Sequence, residues 1–593
     1  MMKLEHSSRI KALRAKLTEA GLDGFIIPRA DEHLGEYVPK SAERLAYISG
    51  FTGSAGLAIV LAEKAAIFSD GRYTLQLTTE TDGNIWERLH ISEQPPEAWL
   101  KANAADKLIG YDPMLISADA LNRFSAINMV ATAVNPLDAI WHDRPPAPMA
   151  PAIPHGIEYA GESSADKRDR LAQILKNDGE DAAILTDPSS LAWLFNIRGA
   201  DVEFTPLALG FALLKSDASA ILFMDPAKIP AETMVHLGPD VTVATRDHLQ
   251  STLAAFTGRK VRYDPASMPV WFKTTLESAG ATISPGTDPA ALPRACKNET
   301  EQAGTRAAHL RDGVAMARFL AWFAQAAPRG SETEISAASK LLACRAMGDN
   351  FKGESFPAIS GAGPDGAIIH YRVSAATNRT LNPNEVYLID SGGQYLDGTT
   401  DITRTLWTGP GPAPAEVKEH FTRVLAGHIA LAEAAFPEGV AGLHLDVLAR
   451  NALWQAGLDY DHGTGHGVGA YLSVHEGPAG ISRAAKPVPL QAGMILSNEP
   501  GFYLPGHYGI RLENLLMVQP AAFPGTERKF LHFETLTLAP FDLALVAPEF
   551  LSASALEWLN LYHARVRLML GAHLHPDHDA EVLTWLKTAT RPI

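Results

Sequence analysis

Cysteine is nearly absent from this chain of 593 residues, which contains Cys296 and Cys344 and no other. Two cysteines cannot supply a disulfide framework or a thiolate-rich zinc site, so we expect a protein of a reducing compartment. Basic residues are also in deficit, because 51 Lys and Arg stand against 67 Asp and Glu for a net charge of −16. This balance argues against a nonspecific nucleic-acid binder, which is normally basic.

Long apolar runs are missing as well. No stretch approaches the roughly 18 consecutive apolar residues that a membrane-spanning helix needs. The first residues, MMKLEHSSRIKALRAKL, lack the apolar segment of a secretory signal. We therefore expect a cytoplasmic enzyme or binding protein, with no membrane or nucleic-acid partner.

The patterning predicts several domains, because a chain of this length is too long for one core. Helices alternate with short apolar strands up to a proline-rich linker at residues 144–155. After the linker the alternation of helices and short apolar strands is repeated, and LAWLFN at Leu191 resembles LAYISG at Leu45. A duplicated α/β domain is favoured, and two unrelated α/β domains are the alternative. The predicted divisions are residues 1–150, 156–296, 297–540 and a helical extension at 541–593.

Two predicted hairpins place acidic residues face to face. In VYLIDSGGQYLDGTTDITRTL, a turn centred between Tyr395 and Leu396 sets Asp390 opposite Asp401. In NEPGFYLPGHYGIRLEN, a turn centred on Gly506 sets Glu499 opposite Glu513. Directly opposed side chains lie about 5 Å apart, and like charges there destabilise a sheet. Two such pairs indicate cations between them, and therefore a metal site.

Between the hairpins runs DHGTGHGVG, in which glycines let the backbone approach closely around His466. Four carboxylates and one imidazole carry about four negative charges, which two divalent cations would balance. This oxygen-rich set suits Mn²⁺, with Co²⁺ or Zn²⁺ as alternatives. The same letters imitate a phosphate-binding loop, but a clear preceding strand and the later acidic residue of a dinucleotide site are missing.

The order of these residues resembles the metal set of the "pita-bread" metallopeptidases, which include methionine aminopeptidase, prolidase and aminopeptidase P. The surrounding motifs are similar to the long, three-domain cytosolic form of aminopeptidase P: FTGSAG, LAWLFNIRG, ESFPAISGAGPDGAIIHY, HGTGHGVG, VHEGP, NEPGFY, GIRLEN and EWLNLYH. This resemblance covers nearly the whole chain. It implies a mixed α/β (α+β) protein with two creatinase-like N-terminal domains, a pita-bread catalytic domain and a helical C-terminal extension.

The resemblance also implies an activity and a partner. The family releases the N-terminal residue from peptides with proline at position 2, usually with two Mn²⁺ ions and as a homodimer. A water or hydroxide held between the ions would attack the bond before proline, since metal binding lowers the pKa of water and clamps both reacting oxygens.

Roles follow by position in the motifs. The implied metal ligands are Asp390, Asp401, His466, Glu499 and Glu513, of which Asp390 would bind one ion, His466 the other, and the rest mostly bridge. Glu499 would accept the proton of the water. His370 and His475 would contact the scissile carbonyl and pass a proton to the proline nitrogen, while His462 would shape the proline pocket. A structural role is the alternative for each of these three histidines.

Arg511 lies two residues before Glu513, hence on the same face of a regular strand, where it can orient a carboxylate; a surface ion pair is the alternative. One departure from the family pattern stands beside His370, where HYRVSAATNRT has Arg372 and Val373 in place of the usual proline. This departure could alter substrate preference. A prolidase acting on X-Pro dipeptides and a non-catalytic peptide-binding module are the alternative functions.

Overall fold

The structure is a computed structural model that describes residues 2–593, with side chains from Glu5 onwards. The chain forms two compact units, residues 1–291 and 292–593. The finer division into four parts stays a prediction. Among the described residues, no helix has the length and apolar character needed to cross a bilayer.

The first unit contains two six-stranded mixed sheets. The first part of the chain forms α1 (Met2–Glu19), β1 (Gly24–Pro28), α2 (Arg44–Ser49), β2 (Leu57–Leu61), β3 (Ala65–Ser69), α3 (Thr74–Glu80), β4 (Glu87–His90), α4 (Pro96–Ala104), β5 (Leu108–Tyr111), α5 (Ala118–Asn122) and β6 (Asn128–Ala131). The next part forms β7 (Ile153–Pro154), α6 (Ile157–Ala160), α7 (Ser164–Asn177), β8 (Ala182–Leu185), α8 (Pro188–Leu194), β9 (Ile197–Arg198), β10 (Phe211–Lys215), β11 (Ala220–Phe223), α9 (Ala231–Leu237), β12 (Val241–Ala244), α10 (Leu249–Ala254), β13 (Lys260–Tyr263), α11 (Val270–Ser278), β14 (Thr282–Pro285) and α12 (Ala291–Ala295).

The two sheets repeat one topology. Their strand orders are β4-β3-β2-β1-β5-β6 and β12-β11-β10-β8-β13-β14. Corresponding pairs share the same direction, with the first strand of each set antiparallel to one neighbour and parallel to the other. A single apolar core joins them, and it includes Ile26 and Phe68 from one sheet and Ile184 and Phe211 from the other. The repeated topology confirms the duplicated α/β fold over the alternative of two unrelated domains.

The second unit surrounds several small sheets with helices. Its elements are α13 (Glu299–Ala326), α14 (Glu334–Arg345), β15 (Phe351–Glu354), β16 (Ile359–Ala362), β17 (Val386–Ser391), β18 (Gly393–Tyr395), β19 (Gly398–Thr399), β20 (Ile402–Trp407), α15 (Ala415–Ala432), β21 (Ala435–Pro437), α16 (Gly442–Trp454), β22 (Gly465–Gly467), β23 (Glu476–Ile481), β24 (Ile495–Asn498), β25 (Gly501–Leu504), β26 (Tyr508–Arg511), β27 (Asn514–Ala521), β28 (Phe530–Thr535), α17 (Ala553–Gly571) and α18 (Ala580–Ala589). The sheets have the orders β15-β18-β19, β16-β17-β20, β21-β28-β27-β24-β22-β23 and β25-β26.

Local chemistry explains where the principal helices begin. A capping box at Asn298 and Glu301 starts α13, because each side chain accepts a hydrogen bond from an otherwise unpaired backbone amide. The Ser552 hydroxyl accepts from the Ala555 amide at the start of α17. The predicted helical extension is therefore present, and its buried Leu559 and Val566 belong to the same core as Phe421 and Phe541.

One of the two predicted hairpin registers is right and the other is wrong. Strands β25 and β26 pair Gly501 with Arg511, and β24 and β27 pair Asn498 with Asn514. Both registers centre on Gly506 and set Glu499 opposite Glu513, as predicted. In the first hairpin, however, Asp390 pairs with Thr403 and not with Asp401. The turn lies one residue further along the chain than expected.

Candidate metal centre

Strand ends and tight connections present the five predicted donors. Asp390 is near the end of β17, Asp401 directly precedes β20, and His466 is the middle residue of β22. Glu499 follows β24 immediately, and Glu513 is the residue between Leu512 and the start of β27. Donor atoms of Asp401, His466 and Glu513 lie within 4.8 Å of one another, so these three side chains can share a cation.

The imidazole of His466 faces the acidic residues. Its Nδ1 is 2.9 Å from the carbonyl oxygen of Gly467, which leaves Nε2 to the site. Nε2 lies 3.5 Å from Asp401 Oδ2 and 3.5 Å from Glu499 Oε1. The structure thus brings Glu499 to the same centre.

Glycines permit this arrangement, as the sequence indicated. A Cβ atom on Gly465 would lie 1.9 Å from the carbonyl oxygen of Ser497, and one on Gly467 would lie 2.1 Å from that of Glu476. These contacts are with backbone atoms, so no side-chain movement could relieve them. Only glycine on both sides of His466 lets β22 pack this closely between its neighbours.

Three of the four predicted ligand carboxylates are oriented by a polar neighbour. Arg511 donates to Asp390 Oδ2 at 2.7 Å, and the Thr403 hydroxyl donates to Glu513 Oε2 at 2.8 Å. The Ser497 hydroxyl donates to Glu499 Oε1 at 3.1 Å. Such neighbours fix the orientation of metal ligands and raise affinity for the ion.

Three carboxylate oxygens of these residues have no partner of this kind. Asp390 Oδ1, Asp401 Oδ1 and Glu513 Oε1 are buried and accept no hydrogen bond from any described residue. A buried carboxylate oxygen without a donor is costly, and it needs either a proton or a cation. The donor set therefore fits bound divalent cations.

The electrostatics agree with this interpretation. Burial raises the pKa of Glu499 to about 7, opposed by His466 and assisted by Asp401. Burial and the charges of Asp401, Asp390 and Glu499 raise the pKa of Glu513 well above its ordinary value. Burial lowers the pKa of His466, but its hydrogen bond to Asp401 and the charge of Glu499 outweigh this and raise it to about 9. Without cations, the cluster retains protons that metal would displace.

Arg511 is buried, at 2 % exposure, so the alternative of a surface ion pair is wrong. Its second donor reaches a residue that the sequence analysis missed. Arg511 Nη1 donates to the Tyr503 hydroxyl at 2.6 Å, and that hydroxyl lies 2.9 Å from Nε2 of His462. Because His462 Nδ1 faces the Gly463 carbonyl oxygen, Tyr503 donates to Nε2. Asp390 and His462 are thereby linked through two side chains.

A signal for Tyr503 was present in the sequence. The hairpin centred on Gly506 sets Arg511 opposite Gly501, and Tyr503 is two residues from Gly501. Diagonal neighbours of this kind share a face of a sheet and are within reach of long side chains.

Two other histidines, His475 and His370, are predicted to act at the centre. The His475 ring is 4.3 Å from the His466 ring, in an edge-to-face arrangement. His370 is half-buried and follows the turn at Gly363–Ala367 along the chain. Beside it, Arg372 is exposed, whereas Val373 packs with Ile359 and Leu388. The roles assigned to the three histidines stay predictions.

Family models match almost the whole chain. "Metallopeptidase family M24" matches residues 303–520, and "C-terminal region of peptidase_M24" matches 529–593. Two models, both described as "Creatinase/Prolidase N-terminal domain", match residues 9–144 and 143–301.

Individual proteins are similar over their full length. Aminopeptidase P1 of Arabidopsis thaliana is 36% identical, with 96% of this chain and 97% of that protein covered. Probable Xaa-Pro aminopeptidase P of Aspergillus flavus is 37% identical over 99% of this chain and 93% of that protein. The crystal structure of X-prolyl aminopeptidase from Caenorhabditis elegans, described as "a cytosolic enzyme with a di-nuclear active site", has a TM-score of 0.94, 32% identity, and coverage of 99% and 100%.

Proposed function

Because this chain belongs to the Xaa-Pro aminopeptidase (aminopeptidase P) family of M24 metallopeptidases, we propose that it is a metal-dependent aminopeptidase that releases the first residue of peptides with proline at position 2. The observation that carries this proposal is the cluster of Asp401, His466 and Glu513, whose donor atoms lie within 4.8 Å of one another, beside three buried carboxylate oxygens that accept no hydrogen bond. The similarity over the full length extends it from metal binding to the substrate class.

The protein's own residues prepare the site for two divalent cations. Asp390, Asp401, His466, Glu499 and Glu513 would hold them. Bound cations would polarise the scissile carbonyl group and activate the attacking water. We propose Mn²⁺ as the metal, because four carboxylates and one imidazole form an oxygen-rich set. Co²⁺ and Zn²⁺ are the alternatives.

Proton transfer would fall to the side chains around the cations. Glu499 follows β24 directly and lies 3.5 Å from the His466 ring, so it can take the proton of the attacking water. The leaving nitrogen belongs to proline, which carries no hydrogen in the peptide, so it must receive a proton to depart. His370 and His475 would stabilise the developing oxyanion and deliver that proton. His462, oriented by Tyr503, would contact the proline ring.

The test compares a tripeptide X-Pro-X with the dipeptide X-Pro on Mn²⁺-loaded protein. We expect release of the first residue from the tripeptide and near-complete loss of this activity in Asp401→Asn. The exposed Asp349 lies in the same unit, so Asp349→Asn removes a charge outside the centre and should retain full activity. Cleavage of the dipeptide alone would instead identify a prolidase, and a parent protein that binds no Mn²⁺ would favour a non-catalytic peptide-binding module.

We also propose a homodimer in the cytoplasm. The relative from C. elegans is described as cytosolic, and two cysteines suit a reducing compartment. Sedimentation equilibrium and cell fractionation test these two points. A monomer at all concentrations, or recovery in a secreted fraction, would contradict them.

A further inference from the structure

Arg404, on strand β20, is a fully buried cation in the second unit. No carboxylate oxygen of the described residues lies within 4.0 Å of its nitrogen atoms, although the more distant charge of Glu513 acts on it. Burial lowers the pKa of the Arg404 guanidinium, yet arginine remains protonated in proteins. A buried charge without a counter-charge is unfavourable unless hydrogen bonds satisfy every donor.

Hydrogen bonds do satisfy this guanidinium. Its acceptors are Pro540 O at 3.1 Å, Thr403 O at 2.9 Å, Glu513 O at 2.6 Å, Asn514 Oδ1 at 2.8 Å, Ala539 O at 2.7 Å and the Tyr562 hydroxyl at 3.3 Å. The Phe541 ring also lies 4.4 Å from its central carbon, in a cation–π contact. Because the guanidinium is planar and its five N–H donors have a fixed geometry, these contacts form only when all the acceptors hold fixed positions.

The acceptors come from two different places. One group is backbone and side chain beside the metal centre, at Thr403 and Glu513–Asn514. The other belongs to the C-terminal part of the chain, at Ala539–Pro540 and in helix α17, which carries Tyr562. Arg404 is therefore a direct link between the C-terminal helical extension and the backbone of a ligand.

The link reaches the ligand in two ways. The Glu513 carbonyl oxygen accepts from Arg404, and the Glu513 carboxylate accepts from the hydroxyl of Thr403. The carbonyl of Thr403 is itself an acceptor for Arg404. Both the backbone of the ligand and the residue that orients its carboxylate thus depend on one guanidinium.

We propose that Arg404 is a positioning residue through which helix α17 holds Glu513 in the metal centre. The C-terminal extension, which contributes none of the five donors, thereby becomes a determinant of metal affinity. This inference rests on the proposed role of Glu513 as a ligand.

Calorimetric titration of the metal-free full chain with Mn²⁺ tests the proposal. We expect Arg404→Met to weaken Mn²⁺ binding by about 10-fold or more, the order typical of groups that orient metal ligands. Arg404→Lys keeps the positive charge but loses the planar guanidinium with its five donors, so its Mn²⁺ affinity should lie between that of Arg404→Met and that of the parent. Tyr562→Phe removes one hydroxyl and should weaken binding by about threefold.

Two further measurements separate positioning from general stability. Tyr562→Phe should have no additional effect in the Arg404→Met background, since both act through one link. Mn²⁺ should also slow amide hydrogen exchange in α17 of the parent, and this protection should vanish in Arg404→Met. Asp579→Asn is the matched control, because it breaks the ion pair with Arg318 at the start of α18 without touching Arg404; it should bind Mn²⁺ as the parent does.

Parental affinity in a folded Arg404→Met variant would overturn the proposal. If that variant does not fold, parental affinity in both Arg404→Lys and Tyr562→Phe would overturn it equally. Glu513→Gln distinguishes the two levels of inference. Unchanged Mn²⁺ binding in Glu513→Gln would refute the proposed ligand set. Loss of Mn²⁺ binding in Glu513→Gln together with parental affinity in the Arg404 variants would refute only the positioning role of Arg404.

Discussion

Thr403→Val removes one hydroxyl and almost no volume from the metal centre. Thr403 is fully buried, and its Oγ1 donates to Glu513 Oε2 at 2.8 Å. It also accepts from Arg511 Nε at 3.3 Å. The substitution leaves the carboxylate of Glu513, a proposed ligand, without the hydroxyl that orients it, and Oε1 of the same carboxylate has no hydrogen-bond partner in either case.

The expected loss can be derived from the hydrogen bond. A bond to a charged group contributes about 1.5–3 kcal/mol. At about 1.4 kcal/mol per factor of ten, this corresponds to a decrease in affinity of roughly 10- to 150-fold. Variants of groups that orient metal ligands lose about 10- to 100-fold, which is the same range. We therefore expect Mn²⁺ affinity to fall about 10- to 100-fold in Thr403→Val.

A dependence on pH provides an independent signature. The Thr403 hydroxyl opposes the raised pKa of Glu513, so its removal raises that pKa further. Protons then compete better with Mn²⁺, and the affinity deficit of the variant should grow as the pH falls. Titration calorimetry at several pH values, with free Mn²⁺ buffered, measures this difference.

Thr405→Val is the matched control on the same strand. Thr405 is equally buried, and its hydroxyl donates to the carbonyl oxygen of Arg511 at 2.9 Å and accepts from the backbone amide of Arg511 at 3.0 Å, so it bonds to backbone atoms and to no carboxylate of the centre. It should lose about 1 kcal/mol of unfolding free energy and keep parental Mn²⁺ affinity. Equal affinities for Thr403→Val and Thr405→Val would refute the argument that Thr403 orients Glu513.

Three other predictions follow from the same geometry. Mn²⁺ affinity should rise as the pH increases through about 7, the pKa of Glu499, because the protonated side chains of the metal-free cluster must release their protons when the metal binds. The calorimetric heats should accordingly vary with the ionisation enthalpy of the buffer. An affinity independent of pH would contradict this prediction. Gly465→Ala should abolish metal binding and peptidase activity in a protein that still shows helical circular dichroism, since its Cβ would lie 1.9 Å from Ser497 O and displace His466. Gly439→Ala is the control, because Gly439 has a positive φ and open space around it and lies in the connection between β21 and α16, so the substitution strains the backbone without a clash. Burial raises the pKa of Glu334 to about 7, so its contribution to stability is complete below its unfolded pKa and disappears as the pH rises through 7. In urea titrations, the unfolding free energy of Glu334→Gln should therefore decline less than that of the parent as the pH rises from the unfolded pKa through 7. Parallel curves for the two proteins would show that the pKa of Glu334 is not raised.

The clustering of Asp401, His466 and Glu513 and the register of one hairpin could be predicted, because local chemistry determines them. Gly506 has a φ of +78°, a conformation that favours glycine, and the turn around it sets the register that opposes Glu499 and Glu513. The glycines beside His466 likewise indicate that another backbone segment approaches closely. Repetition of helix and strand patterns was sufficient to indicate the duplicated α/β fold.

The first hairpin shows where such prediction fails. Moving a turn by one residue changes each pairing by two, and a shift of two leaves every side chain on its original face. The alternating pattern therefore cannot distinguish Asp390 opposite Asp401 from Asp390 opposite Thr403. The tertiary structure decides between them, in part because the buried Tyr395 hydroxyl donates to Asp312 on helix α13.

The amino-acid sequence alone indicated the five proposed metal donors, their order, and the turns and glycines that let them approach. The tertiary structure alone decided which oxygens remain available, because the groups that occupy the others come from distant positions: Arg511 for Asp390, and Thr403 for Glu513. The connection of Arg404 to α17 belongs to the same category, since its acceptors are up to 158 positions away. Contacts between such remote residues depend on the packing of the whole unit, which no local periodicity records.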